Sequence, residues 1–215
     1  MSISAQNQNR ERFDAIAAGW DDNPTRRELA TGVAEAIAAA VPLQADWQAL
    51  EYGCGTGLVG AALAPKLAGL LACDVSPGML AVLEQKARAA GLDHLHTRVF
   101  DLTHMPPPTE HFELIFSSMT MHHIPDVAAL VRTFHGMLKP GGWLALADLD
   151  AEDGSFHGSD VQGVMHKGFD RDALQAGLRA AGFADTSART AHTVAKAAAD
   201  GRLSHYPVFL ITARA

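Results

Sequence analysis

The stretch EYGCGTG, residues 51–57, decides how the rest of this chain is organised. Its three glycines alternate with other residues, so the backbone can turn sharply and approach a ligand without interference from Cβ atoms. The apolar run at 47–50 is typical of a short buried strand, and residues 58–67 are typical of a helix with Pro65 late in it. A strand, a glycine turn and a helix N-terminus together offer unpaired N–H groups and a positive helix dipole. The stretch therefore predicts a nucleotide-type binding site.

Two cofactors fit these glycines. Residues 55–60 read GTGLVG, which is literally the dinucleotide fingerprint G-x-G-x-x-G, and Asp74 follows about 20 residues on, where a ribose-binding acid is expected. The same glycines with Glu51 in front also resemble the E/D-x-G-x-G-x-G motif of class I S-adenosylmethionine (SAM) methyltransferases. A turn that merely connects a strand to a helix is a weaker explanation, because it does not require three glycines and a spaced acid.

Length and composition favour one compact α/β domain over residues 1–215. The net charge of −7 and the lack of a basic run argue against nucleic-acid binding, so a small-molecule partner is expected. Residues 1–12 lack the apolar core of a signal peptide, and no apolar run approaches the ~20 residues that a bilayer requires. Only Cys54 and Cys73 are present, in no spaced framework, which favours a reduced cytoplasm.

Strands alternate with helices through the middle of the chain, which predicts right-handed crossovers and a parallel sheet. The first two strands after the glycine turn end in Asp74 and Asp101. Two consecutive acids at strand ends indicate a shared cleft, because open α/β sheets bind ligands at the carboxyl ends of their strands. The last two strands are expected to pair antiparallel at the sheet edge. The predicted strands after the turn cover 69–73, 95–100, 112–116, 143–149, 186–195 and 207–213.

Residues 1–42 predict an N-terminal helical lid over the site. Arg26 and Arg27 follow Trp20, and two adjacent cations beside an aromatic ring can hold a carboxylate. The strand–helix pattern then lapses at 150–168, where three glycines interrupt a polar stretch. A loop of that length is usually functional, so it is expected on the substrate side. Helices in the lid are expected over 13–20 and 25–41.

The order of these features resembles class I, Rossmann-like SAM-dependent methyltransferases over nearly the whole chain. That family has a glycine turn after its first strand, acids at the ends of strands two and three, and commonly a K-P-G-G turn before strand five. Segments 13–27, 121–125, 152–157 and 166–170 further resemble a small-methyltransferase subgroup of type 11/12-like proteins. The features here that carry the family resemblance are residues 51–57, Asp74, Asp101, Leu102, residues 139–142 and the terminal strand pair.

The resemblance implies an α/β fold: a Rossmann-like, seven-stranded, mostly parallel sheet with helices on both faces, an antiparallel C-terminal strand pair and an N-terminal helical lid. It implies SAM as the cofactor and S-adenosylhomocysteine (SAH) as the product. Asp74 would accept the ribose hydroxyls, and Asp101 the adenine amine, with Leu102 against the ring. The residues expected to contact the cofactor are Trp20, Arg26, Glu51, Gly53, Cys54, Gly55, Gly57, Asp74, Val75, Met79, Asp101, Leu102, Ser117 and His122.

A dinucleotide enzyme would instead need a hydride-transfer pair, usually Tyr-Lys or His-Asp. Only Tyr52 and Tyr206 are present, and neither is placed for that role. These observations favour methyl transfer to a small molecule at O, N, S or C. An NAD-linked oxidoreductase and a non-catalytic SAM-binding regulatory protein remain as alternatives, and the oligomeric state is left open.

Methyl transfer is an in-line displacement, so alignment and desolvation supply much of the rate, and a base is needed only when the acceptor loses a proton. Histidine suits that task, and His122, His157 and His166 are the candidate bases on loops that face the predicted cleft. No metal is expected. Some relatives use a metal held partly by an acid after strand four, where this chain has Ser117 and Ser118, and no compact H-x-x-x-H spacing occurs.

Overall fold

The computed structural model describes residues 3–158, 161, 163–197 and 203–215. The helices in these ranges are α1 (Ile3–Ile16), α2 (Pro24–Ala40), α3 (Leu58–Leu63), α4 (Pro77–Ala89), α5 (Val127–Met137) and α6 (Arg171–Ala180). The strands are β1 (Gln48–Tyr52), β2 (Gly69–Asp74), β3 (Leu95–Val99), β4 (Phe112–Ser118), β5 (Leu138–Leu149), β6 (Ala184–Ala197) and β7 (Leu203–Arg214). Short 3-10 segments occupy Ala17–Asp22, Ala64–Lys66 and Met121–His123.

These strands form one sheet in the order β3-β2-β1-β4-β5-β7-β6. Strands β1 to β5 pair in parallel, whereas β7 runs antiparallel to both β5 and β6. The predicted Rossmann-like sheet and its antiparallel C-terminal pair are thereby confirmed. Because β1 lies between β2 and β4, the strand order reverses there, and a crevice opens beyond the carboxyl ends of β1 and β4.

The hydrophobic core has two parts, one on each face of the sheet. Neighbouring residues of a strand point to opposite faces, so Ala49 of β1 packs with α2, α3 and α4, while Leu50 packs with α5 and α6. Strand β5 alternates in the same way, with Ala145 in the first part and Leu144 in the second. The predicted placement of helices on both faces is confirmed. No helix in the described ranges is long and apolar enough to cross a bilayer.

Two predicted helix boundaries are corrected. The first helix is predicted over 13–20, but α1 ends at Ile16 and the chain continues as the tighter segment Ala17–Asp22. Helix α3 ends at Leu63 rather than at residue 67. Pro65 lacks the N–H that an α-helix needs, so the chain closes there with a single 3-10 turn.

The predicted start of strand five is also wrong. β5 begins at Leu138, directly after α5, rather than at Trp143. Leu138 pairs with Phe112, and Trp143 pairs with Leu114, so four residues on β5 face one on β4. Residues 139–142 therefore form a bulge within the strand instead of a turn that precedes it.

Helix α2 is a core helix along most of its length. The Asn23 side chain accepts hydrogen bonds from two backbone N–H groups of the first turn, and Pro24 occupies the first helical position. Val33 and Ile37 are fully buried in the core between α2 and the sheet. The rest of α2 thus belongs to the core and not to the lid predicted over 1–42. The parts of that lid beside the crevice are α1, the 3-10 segment and the first turns of α2.

A buried carboxyl group, that of Glu51, supports the start of α3 from within the sheet. Glu51 is 2% exposed, and its Oε2 has no hydrogen-bond partner among the residues described. The group packs so closely on α3 that a Cβ at Gly60 would lie 2.1 Å from Oε2. Burial raises the pKa of Glu51 to about 8, although the Gly60 N–H acts in the opposite direction. Glu51 is therefore uncharged at neutral pH.

The position of α2 predicts a large effect of shortening Ile37. We expect Ile37→Ala to lower the free energy of unfolding by about 2–5 kcal/mol, because the change removes a fully buried side chain and leaves a cavity. Denaturant unfolding measures the difference. Glu35→Ala, on the exposed side of the same helix, should stay within about 0.5 kcal/mol of the parent. A similarly small effect of Ile37→Ala would mean that α2 is a peripheral helix.

The buried Glu51 predicts a pH dependence of stability. As the pH rises from 4.5 towards 8, the unfolded chain loses the Glu51 proton while the folded protein keeps it, so the free energy of unfolding falls. The slope from this group approaches about 1.4 kcal/mol per pH unit. Glu51→Gln should flatten this slope in denaturant unfolding at pH 5 to 8, whereas the exposed Glu35→Gln should keep it. Equal slopes for Glu51→Gln and the parent would contradict the assignment.

Candidate functional site

A cavity of 870 Å³ opens at the crevice beyond β1 and β4. This volume lies in the upper part of the roughly 300–1,000 Å³ range of small-molecule pockets. Its wall combines the glycine turn, the ends of β2 and β3, the lid, the segment Met121–His123 and part of the loop at 150–168. The residues predicted for the cofactor that lie in this wall are Trp20, Arg26, Glu51, Gly53, Cys54, Gly55, Asp74, Val75, Met79, Asp101 and His122.

The glycines of the turn serve two different purposes. All three have φ between +52° and +71°, where residues with a Cβ are disfavoured. A Cβ at Gly53 would lie 2.2 Å from Oγ1 of Thr120, and one at Gly57 would lie 2.3 Å from Cδ1 of Leu83. A Cβ at Gly55 would meet no atom within 4 Å. Gly53 and Gly57 therefore permit packing of the turn, whereas Gly55 leaves space open in the cavity wall.

Asp74 links the glycine turn to the start of α4. Its Oδ2 accepts a hydrogen bond of 2.8 Å from the Gly55 N–H, and its Oδ1 accepts one of 2.9 Å from the Ser76 N–H. Burial raises the pKa of Asp74, and the backbone N–H groups oppose that shift. At the end of β3, Asp101 accepts from the Thr103 N–H at 2.8 Å. Both acids that the sequence places at strand ends thus lie in one wall.

Two aspartates hold the lid against this wall. Asp14 Oδ1 accepts from the Ser76 hydroxyl at 2.6 Å and from the Gly78 N–H at 2.8 Å. Asp21 accepts from the Thr56 hydroxyl at 2.5 Å, and its other oxygen pairs with Lys86 Nζ at 2.6 Å. Sequence analysis missed both aspartates, because their partners lie 35 or more residues away. The lid is thereby fastened to α4 and to the glycine turn itself.

Arg26 and Trp20 form a stacked pair in the lid. The Arg26 guanidinium carbon lies 3.7 Å from the centroid of the indole, and Nη1 donates to the Trp20 carbonyl at 3.2 Å. Burial lowers the pKa of Arg26, and the nearby Arg12 lowers it further. Arg27 instead points to the exposed side and donates to the Asp21 carbonyl. Of the two adjacent cations, only Arg26 reaches the cavity.

His122 and Asp148 form a buried pair at the ends of β4 and β5. His122 Nδ1 lies 2.7 Å from Asp148 Oδ1, and the His122 N–H donates to Oδ2 at 3.2 Å. The two side chains are 2% and 0% exposed. Because the carboxylate accepts from Nδ1, the neutral form of His122 carries its lone pair on Nε2, to which the described residues offer no hydrogen bond. His122 is therefore equipped to accept a proton from a molecule in the cavity.

Two further imidazoles adjoin His122. The ring of His123 lies 4.2 Å from that of His122, and the ring of His157 lies 5.0 Å from it, centroid to centroid. Burial lowers the pKa of both His123 and His157 to about 4, with His122 as the next cause. His123 Nδ1 donates to the Gly163 carbonyl at 2.8 Å. In contrast, His157 Nε2 is buried without a described partner.

The described part of the loop at 150–168 folds back over the cavity. Glu152 Oε2 accepts from the Gly154 and Phe156 N–H groups at 2.7 and 3.1 Å. The hydroxyl groups of Ser155 and Tyr206 form a hydrogen bond of 2.7 Å. These bonds place Phe156 and His157 in the wall, next to the imidazoles.

Four predicted residues do not contribute to this wall. Gly57 packs on α4, and Leu102 lines a separate 320 Å³ pocket beside α5. The Ser117 hydroxyl donates to the Tyr52 carbonyl at 2.8 Å and so joins β4 to β1. His166 Nε2 donates to the Ile124 carbonyl at 2.9 Å. The structure places these four residues outside the wall, and contact with a ligand stays a prediction for each of them.

No three His, Cys, Asp or Glu side chains within the described part of the chain are placed to hold a metal ion together. Asp148 is already bonded to His122 and to the Leu149 N–H, and Asp150 pairs with Arg171 at 2.6 Å. The prediction that the site works without a metal stays a prediction.

Comparison with known proteins matches residues 50–146 to the methyltransferase domain family. The 27-O-demethylrifamycin SV methyltransferase of Amycolatopsis mediterranei (strain S699) is 29% identical over 189 residues, which cover 79% of this chain and 66% of the relative. A ubiquinone biosynthesis O-methyltransferase of Xylella fastidiosa (strain 9a5c) is 30% identical over 154 residues, which cover 65% of this chain and 58% of the relative. The chain thus spans less than two thirds of the length of either relative.

The solved DhpI–SAH complex has a similar fold. It covers 100% of this chain and 98% of the DhpI chain, with a TM-score of 0.75 and 20% identity. The matched segment at 50–146 carries the end of β1, the glycine turn, Asp74, Asp101 and His122. Residues 50–146 therefore match the methyltransferase domain family, and the fold of the whole chain is similar to that of the DhpI–SAH complex.

Proposed function

We propose that this protein transfers the methyl group of SAM to a small-molecule acceptor and releases SAH. The observation that carries the proposal is the shared wall formed by the glycine turn and the two acids at the ends of β2 and β3. SAM offers a ribose diol, an adenine amine and a zwitterionic methionine tail, and this wall provides a suitable group for each.

Asp74 and Asp101 would hold the nucleoside. Each oxygen of Asp74 accepts one backbone N–H, and an ionised carboxylate has about four acceptor positions, so two remain for the ribose hydroxyls. Asp101 lies one strand further along the same wall and would accept from the adenine amine. The space at Gly55 would let the methionine part of SAM pass close to the backbone.

Arg26 would hold the methionine carboxylate. Its guanidinium is partly desolvated, stacked on Trp20 and free of any carboxylate partner in the described ranges. A charge-assisted bond to a carboxylate would be strong in that setting. Glu51 contributes indirectly, because it supports the turn and α3 from beneath.

SAM supplies an electrophilic methyl group on its sulfonium. The chain positions the acceptor, excludes water and, where the acceptor is a hydroxyl, removes its proton. His122 Nε2 suits this last task, and Asp148 would orient the ring and stabilise the imidazolium. The names of the two relatives, a 27-O-demethylrifamycin methyltransferase and an O-methyltransferase, support an oxygen acceptor. His166 would position the His122 loop through the Ile124 carbonyl.

The same reasoning extends to location and partners. Both cysteines are buried free thiols, and burial raises their pKa, so they suit a reducing cytoplasm and take no part in the chemistry. Neither nucleic acid nor a membrane is required as a partner. The His122–Asp148 pair would also suit hydride transfer from a nicotinamide, so the oxidoreductase alternative is tested beside methyl transfer.

Titration calorimetry with SAH tests the cofactor. Gly55→Ala should weaken SAH binding by roughly tenfold or more, since its methyl group would enter the open space in the wall. Gly91→Ala is a matched control. Gly91 also has a positive φ and a Cβ position free of contacts, but it lies outside the cavity, so SAH binding should be unchanged.

A parallel titration with NAD, and Asp74→Ala with SAH, complete the experiment. Asp74→Ala should abolish SAH binding, and NAD should give no heat. Binding of NAD in preference to SAH would establish the oxidoreductase alternative. Tight SAH binding without methyl transfer to any hydroxyl acceptor would support the regulatory alternative.

The His122–Asp148 pair predicts a separation of chemistry from cofactor binding. His122→Ala should lower kcat for a hydroxyl acceptor by about 10²–10⁴-fold, the usual contribution of a general base. Asp148→Asn should also lower kcat, because the amide no longer fixes the imidazole tautomer. SAH release measures turnover, and calorimetry should find that SAH affinity falls far less than kcat, because His122 is one of many residues in the wall expected to contact the cofactor. The exposed His205→Gln is the control. Full activity of His122→Ala would show that the acceptor needs no base.

A further inference from the structure

Charges in the cavity wall are divided between its two sides. The charged carboxylates in the wall are Asp74, which ends β2, and Asp101, which follows β3, whereas the buried Glu51 of β1 is uncharged. The sheet order places β4, β5 and β6 on the opposite side of β1. That side contributes Lys196 from β6 and three imidazoles, and no carboxylate in the wall as described.

Lys196 and Arg12 flank the imidazoles. Lys196 Nζ lies 4.6 Å from the centroid of the Phe156 ring and donates to the Phe156 carbonyl. Phe156 in turn packs on His157, and the Arg12 guanidinium carbon lies 5.9 Å from the centroid of the Phe13 ring, which packs on His123. Neither cation forms an ion pair with a carboxylate in the described ranges.

Asp148 does not neutralise these cations. It is 0% exposed, and its oxygens already accept from His122 Nδ1 and from two backbone N–H groups. The buried His157 Nε2, in contrast, has no described partner, although it lies next to Lys196 and 6.0 Å, ring to ring, from His123. A wall that carries two unpaired cations and an unmet hydrogen-bonding atom is a suitable place for an anion.

Apolar and aromatic groups enclose the same part of the cavity. Phe13 of the lid packs edge-on to His123 at 5.9 Å, and Phe156 packs edge-on to His157 at 4.9 Å. Val194, on the same strand as Lys196, is 3% exposed and also lies in the wall. These surfaces suit an aromatic or aliphatic body rather than a highly hydrated one.

We infer that the methyl acceptor is an anionic small molecule whose oxyanion binds between Lys196 and Arg12, beside His157, and whose apolar body lies against Phe13 and Phe156. This assignment rests on the proposed methyl transfer and specifies its acceptor. Arg26, which lies at Trp20, would remain engaged with the cofactor. The hydroxyl to be methylated would then face His122.

The test compares aryl carboxylates with their neutral isosteres. Benzoate, 4-hydroxybenzoate and 4-hydroxycinnamate, and the primary amide of each, are titrated by calorimetry into the SAH-saturated protein and into the free protein. We expect the carboxylates to bind at least tenfold more tightly than the amides. Lys196→Gln should remove most of that preference, Arg12→Gln should reduce it, and Lys196→Arg should retain it. Arg189→Gln is the matched control, because Arg189 is exposed on β6 and lies outside the wall.

Each outcome decides one question. Equal or tighter binding of the amides, no carboxylate binding up to 10 mM, or a preference unaffected by Lys196→Gln would overturn the anionic acceptor. SAH binding is read separately in the same series. Carboxylate preference without any SAH binding would overturn the proposed methyl transfer and leave an anion site of another function. SAH binding without carboxylate preference would leave methyl transfer standing and require a neutral acceptor.

Discussion

The site depends on how closely the backbone of the glycine turn approaches its neighbours. Thr120 occupies the space where a Cβ of Gly53 would lie, and Leu83 does the same at Gly57. The turn is therefore clamped between the loop after β4 and helix α4, while Glu51 fills the space under α3. Since protein interiors tolerate few voids and little overlap, these contacts fix the turn within narrow limits. At Gly55 a Cβ would meet no atom within 4 Å, so this residue is left as the surface that a ligand meets.

The order of the strands also determines the electrostatics of the cavity. In the sheet, β2 and β3 lie on one side of β1. The chain then crosses over, so that β4 lies on the other side of β1. Acids that follow β2 and β3 thus collect on one side, and the groups after β4 and β5, with those of β6, collect on the other. A cofactor with hydroxyl and amine groups and an acceptor with an oxyanion would each meet a field of the appropriate sign. The His122–Asp148 pair lies where the two sides meet.

Much of this could be predicted from the sequence, because local patterns carry it. Alternating glycines, acids at the ends of apolar runs and the strand–helix repeat predict the sheet and the cofactor side of the cavity. The lid contacts of Asp14 and Asp21 could not be predicted, since they join residues that are 35 to 65 positions apart and leave no local pattern in the sequence. Lys196 was also not predicted as a site residue, because no local pattern shows that its strand β6, the last in the sheet order, contributes to the cavity wall. Leu102 and Ser117 show a different limit of the sequence. Each lies at the predicted position in the chain, but that position does not determine where the side chain points.

The two aspartates that fasten the lid have a kinetic consequence. Asp21 binds the turn that would contact the cofactor, and Asp14 binds the helix that begins just after Asp74. A molecule enclosed between Trp20 and the turn leaves only after the lid separates from both anchors. Lid opening occurs on the timescale of microseconds to milliseconds or slower and often limits turnover. We therefore expect the residence time of a bound cofactor to depend on bonds that touch no substrate atom.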